Sequence, residues 1–174
     1  EGYSVTDAIE AIRAFEEHGV YWIEQPVHHT LLDGLREIRE SVSTPIVVDE
    51  SATTIEDLLA VIRAGAADAV HIKLPVLGGF TIARKMLALT EAARLHALPG
   101  SDTASGIGIA AVRHFTASSS LFRRGIHGSP LARAVDDIVK DPVPESATEL
   151  SVPEGPGLGV EVDEEKLEKY AITF

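Results

Sequence analysis

Apolar runs that end in a charged residue recur three times at a nearly constant spacing. The runs cover residues 21–24, 45–49 and 69–73, and their last residues, Glu24, Asp49 and Lys73, follow one another at intervals of 25 and 24. Each interval has room for one strand and one amphipathic helix, which is the repeat of a parallel βα fold. Because successive parallel strands end at the same edge of the sheet, we expect the two carboxylates and the amine to converge there.

The intervals between these runs show helical periodicity. Apolar residues recur every three or four positions in five segments, which begin near Ser4, Leu31, Thr53, Thr81 and Ser105. Five strands are predicted, at residues 21–26, 45–51, 68–75, 97–101 and 125–129. A closed barrel needs eight strands and roughly 250 residues. Since the chain has 174 residues and begins with Glu1, we expect part of an α/β barrel whose N-terminal strands are absent from this chain.

Composition narrows the class of protein. The chain is 45% hydrophobic, but no apolar run approaches the roughly 20 residues that span a bilayer, and there is no secretory signal. It has no cysteine, so it has neither a disulfide framework nor a thiolate nucleophile. These features favour a cytoplasmic protein with no membrane partner.

The charge balance argues against a nucleic-acid partner. The chain has 27 acidic and 15 basic residues, a formal net charge of −12, and its adjacent basic residues are the two pairs Arg84-Lys85 and Arg123-Arg124. Phosphate binding requires clustered lysine and arginine. Two interpretations of the acidity stay open: a surface adapted to high salt, or an ordinary acidic enzyme.

Four segments together carry a family resemblance. They are Trp22-Ile23-Glu24-Gln25-Pro26, Val47-Val48-Asp49-Glu50-Ser51, Ile72-Lys73-Leu74-Pro75-Val76-Leu77-Gly78-Gly79, and the tail Gly155-Pro156-Gly157-Leu158-Gly159-Val160. In this order they resemble the enolase superfamily, specifically the mandelate racemase/muconate lactonizing enzyme family. The resemblance extends over nearly the whole chain.

The resemblance implies a fold and a metal. The expected fold is the C-terminal part of a modified (β/α)7β barrel, in which residues 1–140 form the partial barrel and residues 141–174 form a loop and short helix that return to an α+β capping domain. Mg²⁺, with Mn²⁺ as an alternative, would be held by acidic residues on three consecutive strands. Glu24 and Asp49 match two of these ligands, and the third would lie before Glu1. We therefore expect this chain alone to bind magnesium poorly and to be inactive.

The resemblance also implies a reaction. Lys73 would act as acid and base in removing the α-proton of a small carboxylate substrate, and the metal would stabilise the charge that develops. The expected enzyme is an isomerase: a cycloisomerase, racemase or epimerase. Two alternatives stay open, a dehydratase or o-succinylbenzoate-synthase-like lyase on the same site, and a noncatalytic barrel subunit. A homo-oligomer is expected by family analogy alone.

Further site residues are assigned with less support. Adjacent strand residues point to opposite faces, so Glu50 is expected to orient a ligand or Lys73 while Asp49 binds the metal. Ser101 and Asp102, before the helix near Ser105, are candidates for substrate contact, as is His127. No histidine base lies on the strand at 97–101, which argues against the mandelate racemase branch. No Asp-x-Asp occurs at residues 125–129, which argues against a dipeptide substrate.

Overall fold

The structure, a computed structural model, describes residues 1–100, 105–122, 136–141 and 151–172. In these ranges helices and strands alternate up to the fifth helix, as the spacing predicts. The strands are β1 (Ile23–Glu24), β2 (Ile46–Val48), β3 (Ala69–Lys73) and β4 (His96–Gly100). The helices are α1 (Val5–Glu16), α2 (Leu32–Ser41), α3 (Ile55–Ala64), α4 (Phe80–Ala92), α5 (Gly106–Ala117) and α6 (Glu164–Tyr170).

The strands form one sheet in the order β1-β2-β3-β4. β1 pairs with β2 and β2 pairs with β3, both in parallel. The register places Glu24 opposite Val47, and Val47 opposite Ala69. This confirms the prediction of a parallel α/β sheet in which consecutive strands are neighbours. The predicted strand at 125–129 lies outside the described residues.

The chain divides into two compact units. The first comprises Glu1–Ile72 and Thr81–Leu98, and the second comprises Lys73–Phe80 and Pro99–Phe174. In the first unit the predicted helical stripes are buried, with Ile12 of α1, Leu35 of α2 and Leu58 of α3 at 2% exposure or less. All three residues of β2 are buried as well. Burial of these stripes against the sheet is what makes the short helices stable.

Capping residues set the helix ends. The Ser4 hydroxyl accepts a hydrogen bond from the Asp7 amide at 3.2 Å and begins α1. α3 begins one residue later than predicted, because Thr54 rather than Thr53 accepts from the Asp57 amide, at 3.1 Å. Gly65, with φ of 65°, ends this helix in the left-handed conformation as predicted.

Several predicted boundaries differ from the structure, and the differences are largest at the ends of β2 and α4. β2 ends at Val48, and Glu50–Ala52 form a turn of 3₁₀ helix where the strand was expected to continue. α4 ends at Ala92 rather than at His96, which is the first residue of β4. The chain leaves α4 through Arg94, whose φ is 58°, and periodicity alone gave no sign of this reversal.

In the second unit, the segment 136–141 contacts both the start of α5 and the residues before α6. The first amide of α5, at Gly106, donates to both carboxylate oxygens of Asp137, each at 3.0 Å. Val139 and Val162 form an antiparallel bridge, which pairs the segment 136–141 with the residues just before α6. α6 confirms the predicted C-terminal helix. The division at residue 140 stays a prediction.

In the described part of the chain, the helices are all too short or too polar to cross a bilayer.

Asp68 is expected to stabilise the first unit. Its carboxylate accepts hydrogen bonds from the Ile46 amide at 2.9 Å and from Arg39 Nε at 2.7 Å, so it ties α2 to the start of β2. Replacing Asp68 with alanine removes the acceptor of a half-buried amide and should cost about 1–3 kcal/mol in the free energy of unfolding. Urea denaturation of the full-length protein measures this cost.

The matched control is Asp33→Ala. Asp33 pairs with Arg36 within one helix turn and its side chain is 88% exposed, so its loss should cost under about 0.5 kcal/mol. Equal effects of the two substitutions would contradict the structural role of Asp68.

Attachment of α6 is expected to depend on pH. Lys166 Nζ and Tyr170 Oη donate to Asp136 at 2.8 and 2.9 Å, and these hydrogen bonds hold the pKa of Asp136 well below its usual range. A lowered folded pKa stabilises the folded state above the ordinary value of about 3.9, and this contribution is lost as the pH falls below it. Amide exchange of residues 164–170 should therefore separate wild type from Asp136→Asn near pH 7, with a difference that shrinks below about pH 4. A difference that stays constant down to pH 2 would refute this account.

Candidate functional site

The two predicted metal ligands lie at the same edge of the sheet. Glu24 is the last residue of β1, and Asp49 directly follows β2. Asp49 is 8% exposed, and the Glu24 side chain is 28% exposed. Since β1 and β2 are parallel neighbours, their carboxyl ends, from which these two side chains extend, lie next to each other in the first unit.

A buried glutamine joins the two strand ends. Gln25, 3% exposed, donates from Nε2 to the Val27 carbonyl at 3.0 Å and to the Ser51 hydroxyl at 2.9 Å. Its Oε1 accepts from the amides of Asp49 at 3.0 Å and of Ser51 at 3.2 Å. The Gln25 side chain therefore fixes the backbone of Asp49 relative to the end of β1.

Sequence reasoning quoted Gln25 only as part of a motif and assigned it no role. The sequence did contain a signal of its role, because Gln25 stands between an apolar strand and Pro26. A side-chain amide that is buried at such a position must find several hydrogen-bond partners. Its φ of 36° is rare for a residue with a side chain, which indicates that the four hydrogen bonds offset backbone strain.

A buried histidine contacts Glu24. His71 lies in the middle of β3, its side chain is 0% exposed, and its Nε2 lies 3.1 Å from Oε2 of Glu24. An ionised carboxylate can only accept, so the ring nitrogen donates. Sequence reasoning missed His71 too. The signal was a titratable side chain inside an apolar strand, two residues before Lys73 and so on the same face of β3.

Lys73 is the last residue of β3 and belongs to the second unit. The end of β4 leaves room for its side chain, since a Cβ added at Gly100 would lie 2.5 Å from Cγ of Lys73 and 3.0 Å from its Cε. Any larger residue at position 100 would have to displace the lysine. Sequence reasoning assigned no role to Gly100.

Glu50 begins the 3₁₀ turn and is exposed. It lines a surface cavity of about 550 Å³ in the first unit, together with Glu1, His29 and Asp57. The His29 ring contacts the Glu1 carboxylate at 2.8 Å, and this hydrogen bond lowers the pKa of Glu1. The expected orienting role of Glu50 stays a prediction.

The candidate substrate residues Ser101, Asp102 and His127 lie outside the described residues. The helix that follows Ser101 and Asp102 was predicted to offer its N-terminus to substrate oxygens. Its first amide, at Gly106, is instead taken by the carboxylate of Asp137.

The donor chemistry of the site suits a hard divalent cation. Mg²⁺ and Mn²⁺ prefer carboxylate oxygens, and Mg²⁺ keeps several positions for water and substrate. Glu24 and Asp49 supply two such groups on neighbouring strands. Across residues 1–100, 105–122, 136–141 and 151–172, no three His, Cys, Asp or Glu side chains are grouped to hold a metal. The described residues thus fit the cation in kind and offer two carboxylates of the type that it binds.

Comparison with known proteins assigns the family. The model of the enolase C-terminal domain-like family matches residues 1–166. The chain belongs to this family. The predicted resemblance and the predicted fold class are both confirmed.

The relatives include epimerases and cycloisomerases. The chain is 34% identical to L-Ala-D/L-Glu epimerase of Bacillus subtilis over 92% of its own length and 44% of that protein's. The solved 2-chloromuconate cycloisomerase of Rhodococcus opacus matches 98% of the chain with a TM-score of 0.92 and 32% identity, over 46% of that chain. A dipeptide epimerase from Cytophaga hutchinsonii, solved with Mg and D-Ala-L-Val, matches 97% of the chain with a TM-score of 0.89 and 28% identity, again over 46% of that chain.

The chain thus spans less than half the length of these relatives. These relatives are isomerases of the enolase superfamily, and D-gluconate dehydratase of Thermoproteus tenax is also similar, at 28% identity over 97% of the chain.

Gln25→Leu is expected to destabilise the fold strongly. The substitution leaves the amides of Asp49 and Ser51 and the Val27 carbonyl without their partner, and it keeps the strained backbone. We expect a loss of about 3–5 kcal/mol in the free energy of unfolding, measured by urea denaturation of the full-length protein.

Thr90→Val is the matched control for Gln25→Leu. Thr90 is equally buried, but its hydroxyl makes one hydrogen bond, to the Met86 carbonyl at 2.8 Å. Its replacement should cost about 1 kcal/mol. If Gln25→Leu costs no more than this control, the joining role of Gln25 is wrong.

Proposed function

We propose that this chain supplies the metal-binding and proton-transfer residues of an enolase-superfamily isomerase. The reaction is Mg²⁺-dependent removal of the α-proton of a small carboxylate substrate, as in a cycloisomerase, racemase or epimerase. The observation that carries the proposal is that Gln25 holds the ends of β1 and β2 together, so that Glu24 and Asp49 stand as neighbouring carboxylates at one edge of the sheet.

In this mechanism Glu24 and Asp49 hold the cation. When bound, the cation supplies positive charge beside the substrate carboxylate, which makes loss of the α-proton less costly. The chain's own contribution is placement, because the Glu24 carboxylate contacts a buried ring and the Asp49 backbone is bonded to a buried amide before any ligand arrives. Preorganised groups of this kind need little rearrangement during reaction.

Lys73 moves the proton. In its neutral form, Nζ takes the α-proton while the C–H electron pair is delocalised into the substrate carboxylate, and the resulting ammonium can return the proton. The Lys73 stem lies against Gly100, which restricts the directions that the amine can reach. A side chain with few positions to explore approaches one face of the substrate, as stereochemical control requires.

The proposal identifies the substrate only as a small carboxylate. Relatives act on substrates as different as dipeptides and chloromuconate, to judge from their names. Fold and family do not choose between such substrates.

Deuterium uptake tests the reaction. The full-length protein is incubated with a panel of carboxylates in D₂O, with Mg²⁺ and then with EDTA, and exchange at the α-carbon is measured by mass spectrometry. We expect metal-dependent exchange that Lys73→Ala reduces by about 10²–10⁴-fold, the usual contribution of a general base. Analysis of the same products for loss of water separates an isomerase from a dehydratase.

The matched control is Lys85→Ala, which removes an exposed lysine of α4. The Lys85→Ala variant should catalyse deuterium exchange of the substrate at the wild-type rate. Exchange by Lys73→Ala within threefold of wild type would contradict the role of Lys73. No metal-dependent exchange on any carboxylate would instead favour the noncatalytic barrel.

A further inference from the structure

His71 has no counterpart among the residues that the proposed reaction uses. It occupies an apolar strand, between Val70 and Ile72, and its ring is completely buried. Burying an imidazole costs free energy unless its polar atoms are satisfied. A leucine or valine here would extend the apolar core at lower cost, so the retained ring calls for a specific contact to explain it.

That contact is with Glu24. The ring's Nε2 lies 3.1 Å from Oε2 of the carboxylate, across 47 positions of sequence. The two oxygens of Glu24 are therefore not equivalent, because Oε2 already accepts a hydrogen bond from the ring. A cation held by Glu24 would compete with the ring for Oε2 but not for Oε1.

We propose that His71 is a positioning residue, which holds the Glu24 carboxylate so that Oε1 binds the divalent cation while Oε2 stays with the ring. This inference rests on the proposed function, since it deepens the role given to Glu24. Hydrogen bonds from buried groups to metal-binding carboxylates fix the orientation of the ligand, and their loss typically weakens metal binding about 10–100-fold.

The location of His71 suits this role. A side chain in the middle of a paired strand has little freedom, and a fully buried ring cannot turn to solvent. A partly exposed glutamate side chain, by contrast, has several rotamers, and each fixed neighbour reduces that freedom. Fixing it in advance removes this entropy from the cost of binding the cation.

Two substitutions separate positioning from packing. His71→Leu keeps a buried apolar side chain but removes the donor, and His71→Gln restores an amide nitrogen near the position of Nε2. Val70→Ala is the control, because it removes buried volume from the same strand and, as the residue next to His71, points to the opposite face of the sheet. Binding of Mn²⁺ to each full-length variant is measured by electron paramagnetic resonance of the free ion, beside thermal unfolding without metal.

We expect His71→Leu to weaken Mn²⁺ binding at least tenfold. His71→Gln should bind Mn²⁺ within about threefold of wild type, and Val70→Ala should lose thermal stability while its Mn²⁺ affinity stays the same. The inference is overturned if His71→Leu binds as tightly as wild type, or if Val70→Ala weakens binding equally, since that would make the effect one of stability.

A measurement without metal tests the contact itself. In protein labelled with ¹⁵N-histidine, long-range proton–nitrogen spectra should show the His71 proton on Nε2 in the metal-free state. A proton on Nδ1 alone would overturn the inference. Failure of the proposed function looks different: the unsubstituted protein would bind no Mn²⁺, whatever the ring's tautomer.

Discussion

The amide of Gln25 is the constraint on which the candidate site depends. One buried side chain satisfies two amides, a carbonyl and a hydroxyl drawn from the ends of β1 and β2. A site that needs charged groups on separate strands must prevent those strand ends from moving apart, and the sheet's own ladder stops at Glu24 and Val48. The glutamine continues the pairing beyond the ladder. The left-handed backbone of Gln25 costs conformational free energy, and this conformation turns the side chain towards all of these partners.

Each candidate ligand is thereby supported from the interior of the protein. Glu24 contacts the ring of His71, and the backbone of Asp49 donates to Gln25. The supporting groups are polar and buried, whereas the candidate ligands stand at the edge of the sheet. Such an arrangement leaves the partly exposed Glu24 carboxylate near solvent or a cation, where its charge costs least, and places the geometric control in the rigid core.

Spacing predicted the strands because the βα repeat fixes the length between equivalent positions, so that Glu24, Asp49 and Lys73 were found from the sequence alone. Periodicity could not reveal Gln25 or His71, whose importance lies in partners 24 to 47 residues away. It also could not foresee that β2 ends at Val48. The next amide, at Asp49, is taken by Gln25, and the chain then enters a 3₁₀ turn. Local patterns thus determine where elements occur, and long-range polar contacts determine how they end.

The most direct test of this account is where a cation binds. Crystals of the full-length protein soaked in Mn²⁺ and measured at the manganese absorption edge would locate the ion by its anomalous signal. The account predicts a single peak at ligand distance, roughly 2.1–2.3 Å, from Oε1 of Glu24 and from a carboxylate oxygen of Asp49, with Oε2 of Glu24 still bonded to His71. An ion held by other residues, or no ion at this edge of the sheet, would contradict it.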